Sequence, residues 1–444
     1  MNFEEPKNPN YCATVVTLKT FVDLPGCDFI KAAIVFENNV IVSKDFKVGD
    51  VGLFFPVECQ LSKEFLSANN LYRKPECGNI DITKSGFFEE HGRIKCVRFR
   101  GHKSEGFWIP LSSIDFALSP ATRSMDFIGG ETFDQINSIE ICRKYIPKSN
   151  NSGGLNATKA GCKLKDIIVE GQFAFHYDTE NLKKNIHKIH PDDIISISEK
   201  FHGTSGVFSN VLINRKLSFI EKLLLKCGVK IQKTEYNIAY SSRKVIKSVT
   251  GPDKDSNDLW NLVALEIQER IPKNYSIYGE ICGYMPSGKA IQAAPGGKAY
   301  HYGCEKGKHQ LFVYRVTSTN PDGKIIELNW PQKKEFCTKY GFEMVKELYY
   351  GTADQFFSWD TDFLSDPEDV EWQKALLKTI ESEFVRDQLC PWNNGEVPAE
   401  GIVVCVDHLE GSESFKMKNY LFLEGESKLL DSGVADIETI ESEE

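Results

Sequence analysis

The sequence predicts an α+β chain in two parts: a small β-barrel first, then a mixed, mainly antiparallel domain. Three observations carry this. The chain has 444 residues, too many for one ordinary hydrophobic core. Residues 1–118 read as short β segments punctuated by turn signals, whereas residues 166–444 mix strand and helix patterns. Between them, "IPKSNNSGGLNATKAG" from Ile146 to Gly161 is rich in Ser, Asn and Gly, a composition that disfavours packed structure. The expected division is a barrel over 1–118, a linker region over 119–165 and a second domain over 166–444.

In the first part, "CATVVTLKTFVDLPGCD" is a strand followed by a Pro-Gly turn. "AAIVFENNVIVSKDFKVGDVGLFFPVE" supplies three strands, broken at Asn38-Asn39 and at Lys47 to Asp50. "GRIKCVRFRGHKSEGFWIP" supplies two more. In it Ile94, Cys96, Val97 and Phe99 interleave with Lys95, Arg98 and Arg100. About five strands in this length predict a small closed barrel of the OB-fold kind, an architecture that can track single-stranded nucleic acid with a basic, aromatic groove.

In the second part, "HPDDIISISEKFHGTSGVFSNVLINRK" reads as two strands around a turn at His202-Gly203. "SFIEKLLLKCG" is a short amphipathic helix and "TEYNIAYSSRKVI" a strand. "DSNDLWNLVALEIQERIP" is a helix by its apolar period, starting near Ser256 and closed by Pro272. "NYSIYGEICGY" and "HQLFVYRVT" are strands. "PEDVEWQKALLKTIESEFVRDQLCP" is a helix with Leu376, Ile380, Phe384 and Leu389 on or near one face. "EGIVVCVD" and "ESFKMKN" are the last strands.

Composition narrows the function classes. No apolar run approaches the ~20 residues of a membrane span, and the acidic, polar start "MNFEEPKNPNY" is not a targeting signal. The 13 cysteines are dispersed without CxxC spacing, which excludes a zinc ribbon and fits free thiols in the cytoplasm or another reducing intracellular compartment. The net charge of −10 excludes a protein basic all over. A local patch remains: from Arg215 to Lys247 there are nine cations and only two acids, Glu221 and Glu235. The tail from Asp431 to Glu444 is acidic and reads as a solvated end.

Lys200 raises a sharper question. It ends an apolar strand and precedes His202-Gly203, where glycine permits close backbone approach. To act as a nucleophile, a lysine with an ordinary pKa near ~10.4 must be neutralised by desolvation or by nearby cations. Lys416 and Lys418, at i and i+2 of a strand, share one face and could do this or could hold phosphates. Glu280 in "IYGEICG" and Glu400 in "AEGIVV" stand in strands that read as buried, and a buried carboxylate needs a cationic or metal partner. A hydrated Mg²⁺ or Mn²⁺ would serve.

The ordered set "EKFHG" at Lys200, "SSRK" at Ser241 to Lys244, "YGEICG" at Tyr278 to Gly283, "LFVYR" at Leu311 to Arg315, "EGIVV" at Glu400 to Val404 and "FKMK" at Phe415 to Lys418 resembles the six nucleotidyltransferase motifs of covalent ligases and mRNA capping enzymes. The KxHG form is similar to that of ATP-dependent RNA ligases; DNA ligases and capping enzymes typically carry KxDG. The likeness spans roughly Asp166 to Leu423. About 25 residues follow Lys418, too few for a C-terminal OB domain. The domain order therefore resembles the RNA-ligase branch with an N-terminal OB domain and a minimal nucleotidyltransferase domain.

The resemblance implies roles. Lys200 would attack the α-phosphate of ATP and hold AMP. Lys416 and Lys418 would bind that phosphate, and Arg243 the sugar or phosphates. Glu280 and Glu400 would position the waters of Mg²⁺ or Mn²⁺, with Glu280 also near the ribose. Phe312 or Tyr314 would stack on adenine, and Glu199 would lie at its edge. His202 would only pack the turn. The implied partner is RNA with 3′-OH and 5′-phosphate ends, including a nicked duplex, with no membrane and no obligate protein partner. Two other readings stand beside this one: a DNA ligase or GTP-using capping enzyme, and a catalytically silent RNA-binding protein on the same fold.

Overall fold

The computed structural model describes residues 5–119, 127–147, 164, 166–357, 370–408 and 411–433. The chain divides into two units, Met1–Ile146 and Pro147–Glu444. Among the described residues no helix is long and apolar enough to cross a membrane.

In the first unit, Ala13–Thr17 and Val51–Phe55 are the central strands of a four-stranded antiparallel sheet, flanked by Thr132–Phe133 and Phe107–Pro110. Alternation along Val51–Phe55 feeds two cores, because successive side chains point to opposite faces. Leu53 and Phe55 pack with Phe65 and Phe133, while Phe54 packs with Trp108, Val35 and Val40. A three-stranded meander (Thr20–Asp23, Ile30–Val35, Asn38–Ser43) and a hairpin (Val97–Phe99, His102–Ser104) complete most of the strands.

Two expectations change here. The described strands pair as separate small sheets and do not close into a barrel. Strand count alone does not say which edges meet, and the connection between Leu61 and Val97 is used for the helix Lys63–Ala68 and loops. Residues 127–146, counted with the linker on composition, pair into this unit: Thr132 with Thr14, and Cys142 with Leu61. The Ser/Asn/Gly-rich 148–163 lies outside the described residues.

The second unit is mixed α/β and mainly antiparallel, as expected. Its five-stranded sheet runs Glu180–Asn181, Gly411–Lys418, Gly401–His408, Ile194–Lys200, Glu347–Thr352. Its larger sheet runs Ile246–Ser248, Thr234–Ser241, Thr204–Asn214, Tyr275–Gly283, His309–Thr319, Ile325–Glu327, with Glu343–Met344 paired in parallel on His309–Thr319.

Each sheet buries one face under helices. Ile195, Ile197, Val404, Val406 and Phe415 pack against Trp372, Leu376 and Ile380 of the helix Val370–Ile380. Phe208, Ile277, Val313 and Val316 pack against the helix Leu259–Ile267 and against Phe336 of the helix Trp330–Tyr340. Asp258, two residues past the expected start, caps the first of these by accepting from Asn261 N. The Trp330–Tyr340 helix escaped the sequence reading, although Asn329 and Gln332 form a capping box and Gly341 ends it with φ 70°. With both outer faces committed to apolar cores, the opposite faces are left to carry polar groups.

Candidate active site

Strand register assembles the site. Lys200 pairs with Gly401, and Gly401 with Lys418, so the two lysines sit at one level across three strands. One step along, Ser198 pairs with Val403 and Val403 with Lys416. Lys200, Lys416 and Lys418 thus share the face turned away from the Trp372 core. On the larger sheet, Ser205 pairs with Glu280 and Glu280 with Phe312.

The turn after Lys200 joins the two sheets, and its glycine has a definite cause. A Cβ on Gly203 would lie 2.3 Å from the Ile281 carbonyl oxygen and 2.8 Å from Cys282 Sγ. Any other residue would force the strands apart beside Lys200. The turn is tied down on all sides. Gly203 N donates to Glu280 Oε1 at 2.9 Å, Gln292 Nε2 donates to Gly203 O at 2.8 Å, and His202 N donates to the Tyr302 hydroxyl at 2.7 Å. The His202 ring packs edge-on against Tyr300 and Phe422.

The charged groups form one cluster. Glu400, 3% exposed, places Oε1 2.8 Å from Lys200 Nζ and 3.7 Å from Lys418 Nζ. Lys418 also pairs with Glu426 at 3.1 Å. Burial alone would raise the Glu400 pKa, but Lys200 and Lys418 outweigh it and hold the carboxylate below its ordinary value. For Lys200, burial pulls the pKa down, yet Glu400 and then Glu280 overcome it, so the ammonium lies above the ordinary lysine value. The expectation that desolvation or neighbouring cations depress Lys200 is therefore not met, because the nearest charge is a carboxylate in contact.

Lys416 behaves in the opposite way. Burial, Lys418 and Lys200 lower its pKa to about 7, and Asp178 only partly compensates. Arg243 forms an ion pair with Asp178. Of the Arg215–Lys247 cations, Arg243 therefore joins the site electrostatically. The helix Phe219–Lys226 instead follows Asn214, at the far end of the strand from Ser205.

The aromatic residues form a second group. Phe312, 6% exposed, lies edge-on to Phe201 with centroids 4.8 Å apart, and Trp392 and Tyr302 complete the cluster. Tyr314 packs against the same cluster, with its hydroxyl 2.9 Å from Ser205 Oγ. Trp392 Nε1 donates to Glu199 Oε2 at 2.6 Å, and burial raises the Glu199 pKa against that hydrogen bond.

Five residues given no role from the sequence support the site: Gln292, Tyr300 and Tyr302 around the turn, Trp392 beside Glu199, and Arg315. The Arg315 guanidinium lies over the rings of Tyr177 and Tyr278 at 4.4 and 4.5 Å and bonds Glu327 at 2.7 Å. Arg315 stood in the "LFVYR" motif; nothing local marked the others, since they come from long connections between strands.

The site can also be tested for a metal. Glu400 Oε2 is buried without a hydrogen-bond partner, an expensive position for a carboxylate oxygen. Among the described residues, no three His, Cys, Asp or Glu side chains converge as a metal cage. Two carboxylates, Glu280 and Glu400, near one lysine suit a hydrated hard cation reached through its waters rather than a fully protein-ligated ion.

Comparison with known proteins agrees with this geometry. No curated protein sequence matches. Naegleria gruberi RNA ligase is similar in structure. Its lysine-to-methionine variant with AMP and Mn shares 16% identity over 93% of this chain and 98% of that one, with a TM-score of 0.56. Its lysine-to-alanine variant with ATP and Mn shares 15% identity over the same fractions, also at 0.56. The same ligase with PPi shares 16% identity over 93% and 97%, at 0.53. Identity this low speaks for the fold. The sequence profile of the RNA ligase family, however, matches residues 193–418, just over half of the chain and the stretch that holds Lys200, Glu280, Glu400, Lys416 and Lys418, and so the chain belongs to the RNA ligase family.

Proposed function

We propose that this protein seals RNA 3′-OH and 5′-phosphate ends at the expense of ATP, through a covalent AMP on Lys200. The observation that carries the reading is the Lys200–Glu400–Lys418 cluster set one register step from Lys416. It puts an amine, two further cations and a buried carboxylate on one face of a sheet. The ligands in the Naegleria gruberi structures, ATP, AMP, Mn and PPi, are those such chemistry would use.

In the first step the neutral Lys200 amine attacks the α-phosphorus of ATP. A P–N bond forms, the P–O bond to the β-phosphate breaks, and pyrophosphate leaves. The amine proton passes to solvent or to Glu400, the base in contact. In the second step a 5′-phosphate oxygen of RNA displaces Lys200 from AMP. In the third the RNA 3′-OH attacks that 5′-phosphate and AMP leaves. Phosphoryl transfer of this kind is mainly positioning and charge stabilisation, so the residues matter as fixed charges. Lys416 and Lys418 would hold the α-phosphate oxygens, and Arg243 its neighbours. A divalent ion held through water by Glu280 and Glu400 would neutralise phosphate charge. Phe312, rather than Tyr314, is the better stacking surface for adenine, because its row carries Glu280 and its ring is not engaged by a hydroxyl bond. In the N-terminal unit, the exposed Arg98, Phe99 and Arg100 at a hairpin end offer a surface for RNA.

The test uses α-labelled ATP and, separately, α-labelled GTP, each with Mg²⁺ or Mn²⁺. Acid-labile, base-stable label on the protein from ATP, followed by sealing of 5′-phosphorylated RNA, is expected. Label from GTP alone would favour the capping reading, and no label from either would favour a silent RNA-binding protein. Sealing of DNA but not RNA ends would favour the DNA ligase.

A further inference from the structure

Between the strands Tyr275–Gly283 and His309–Thr319 the chain makes a long excursion, and this excursion repeats one device three times. Gly288-Lys289, Gly297-Lys298 and Gly307-Lys308 each place a lysine after a glycine with φ near +80°, at 82°, 81° and 84°. The first two turns are closed identically. Gly288 N donates to Met285 O and Met285 N to Lys289 O; Gly297 N donates to Ala294 O and Ala294 N to Lys298 O. The third is closed by Lys308 N donating to Glu305 O and Tyr284 N to Lys308 O. Lys289, Lys298, Lys306 and Lys308 are all exposed. Glu305 is the one acid in residues 284–308, in a chain whose net charge is −10. Lys298 approaches Glu396 only at 3.9 Å, with both side chains more than half exposed, a contact worth little in water.

The same excursion holds the nucleophile turn. Gln292 binds Gly203 O, Tyr302 binds His202 N, and the Tyr300 hydroxyl donates to Pro398 O two residues before Glu400. The lysine turns are therefore fixed relative to Lys200 through buried anchors, while their ammonium groups face solvent. Fixed, solvent-facing cations beside a site for phosphate chemistry suit an extended polyanion better than a small one. A nucleotide's phosphates would be met by the buried cluster already described.

We propose that the three Gly-Lys turns form a clamp for the phosphate backbone of the RNA presenting its end to Lys200. The proposal rests on the RNA-sealing reading above. The clamp reads charge and spacing, not bases, so it adds affinity and salt dependence without sequence preference.

The test replaces Lys289, Lys298, Lys306 and Lys308 by Gln in the full chain, with the four Lys→Arg changes as the charge-retaining control. Binding of 5′-phosphorylated single-stranded RNA is followed by anisotropy across a salt series, and AMP-adduct formation is measured separately. For single strands each phosphate contact contributes about 0.7 to the slope of log affinity against log salt. The Gln variant is expected to lose roughly 2 to 3 of that slope, the Arg variant to keep it, and both to form adduct with unchanged ATP dependence. An unchanged slope in the Gln variant would overturn the clamp. So would a loss confined to ATP affinity, which would assign the turns to the nucleotide's phosphates instead. Failure of the wild-type protein to form adduct would strike the RNA-sealing reading alone, because the RNA-binding arm does not depend on it.

Discussion

Two lysines on one face of the same sheet are held in opposite states. Around Lys200, Glu400 at 2.8 Å and Glu280 beyond it keep the proton on the amine. Around Lys416, two strand positions from Lys418, burial and the nearby Lys418 and Lys200 outweigh Asp178 and bring the pKa to about 7. The difference lies in the neighbouring strand. Lys200 meets the residue that precedes Gly401, a carboxylate, whereas Lys416 lies across from Val403. Near neutral pH Lys416 therefore exchanges its proton readily, whereas Lys200 holds its proton. Anion binding would hold the proton on the first, and passage of the Lys200 proton to solvent or to Glu400 would free the second.

The largest effect should come from Lys200→Met. It removes the amine proposed to form the P–N bond, and adduct formation should fall below detection while the thermal transition persists. Adduct on this variant, located by peptide mapping, would move the nucleophile elsewhere.

Next is Glu400→Ala, where stability and chemistry must be separated. Removing one partner of a buried ion pair costs roughly 3 to 5 kcal/mol when the other is left unpaired. Here Lys200 is one quarter exposed and Lys418 retains Glu426, so a smaller loss is expected. Adenylylation should nonetheless fall by about 10²-fold or more, through loss of a group fixed at the reacting centre. Full activity with a lowered Tm would make Glu400 purely structural.

How far the sequence revealed this site follows from chain distance. Lys200, Glu280, Lys416 and Lys418 were legible because each sits in a strand, and Glu400 because it directly precedes one; register then brings them together. Phe312 and Tyr314 looked equivalent in "LFVYR". Only the irregular pairing between Tyr278 and Gly279, together with the Ser205 contact, separates them. Gln292, Tyr302 and Trp392 reach the turn from loops, where no periodicity says which way a side chain faces. In the first unit the strands were legible but their pairing was not, since an edge chosen by tertiary packing leaves no local mark.

The Lys416 side of the comparison predicts a proton balance. With a pKa near 7, Lys416 is about 90% neutral at pH 8. Its folded pKa lies below the ordinary lysine value of 10.5, so between these limits the unfolded chain binds more protons and stability rises with pH. A bound α-phosphate reverses the local field. Binding of a non-hydrolysable ATP analogue at pH 8 should take up close to one proton, read from calorimetry in buffers of different ionisation enthalpy, and little at pH 6. Lys416→Gln should abolish the uptake and weaken binding by about tenfold. Uptake that survives the substitution would assign the proton to another group.

The smallest expected effect tests whether the aromatic edge is part of the reacting centre or only its wall. Trp392 Nε1 donates to Glu199 Oε2 at 2.6 Å, and Glu199 is the residue before Lys200. Its backbone N donates to Lys346 O, which fixes the strand on the opposite edge. Trp392→Phe keeps an aromatic ring against Phe201 and Phe312 but removes the donor. Burial then acts on Glu199 unopposed by that hydrogen bond, and its pKa should move further up. A hydrogen bond to a charged group is worth about 1.5 to 3 kcal/mol, and protonation of Glu199 would recover part of that. The variant should therefore lose about 1 kcal/mol of stability, seen as a modest fall in denaturation midpoint. The KM for ATP should rise only a few-fold with kcat unchanged, because Lys200 and Glu400 keep their geometry through the Gly203 anchors. A fall in kcat comparable to that of Glu400→Ala would show that Glu199 and Trp392 act on the transition state.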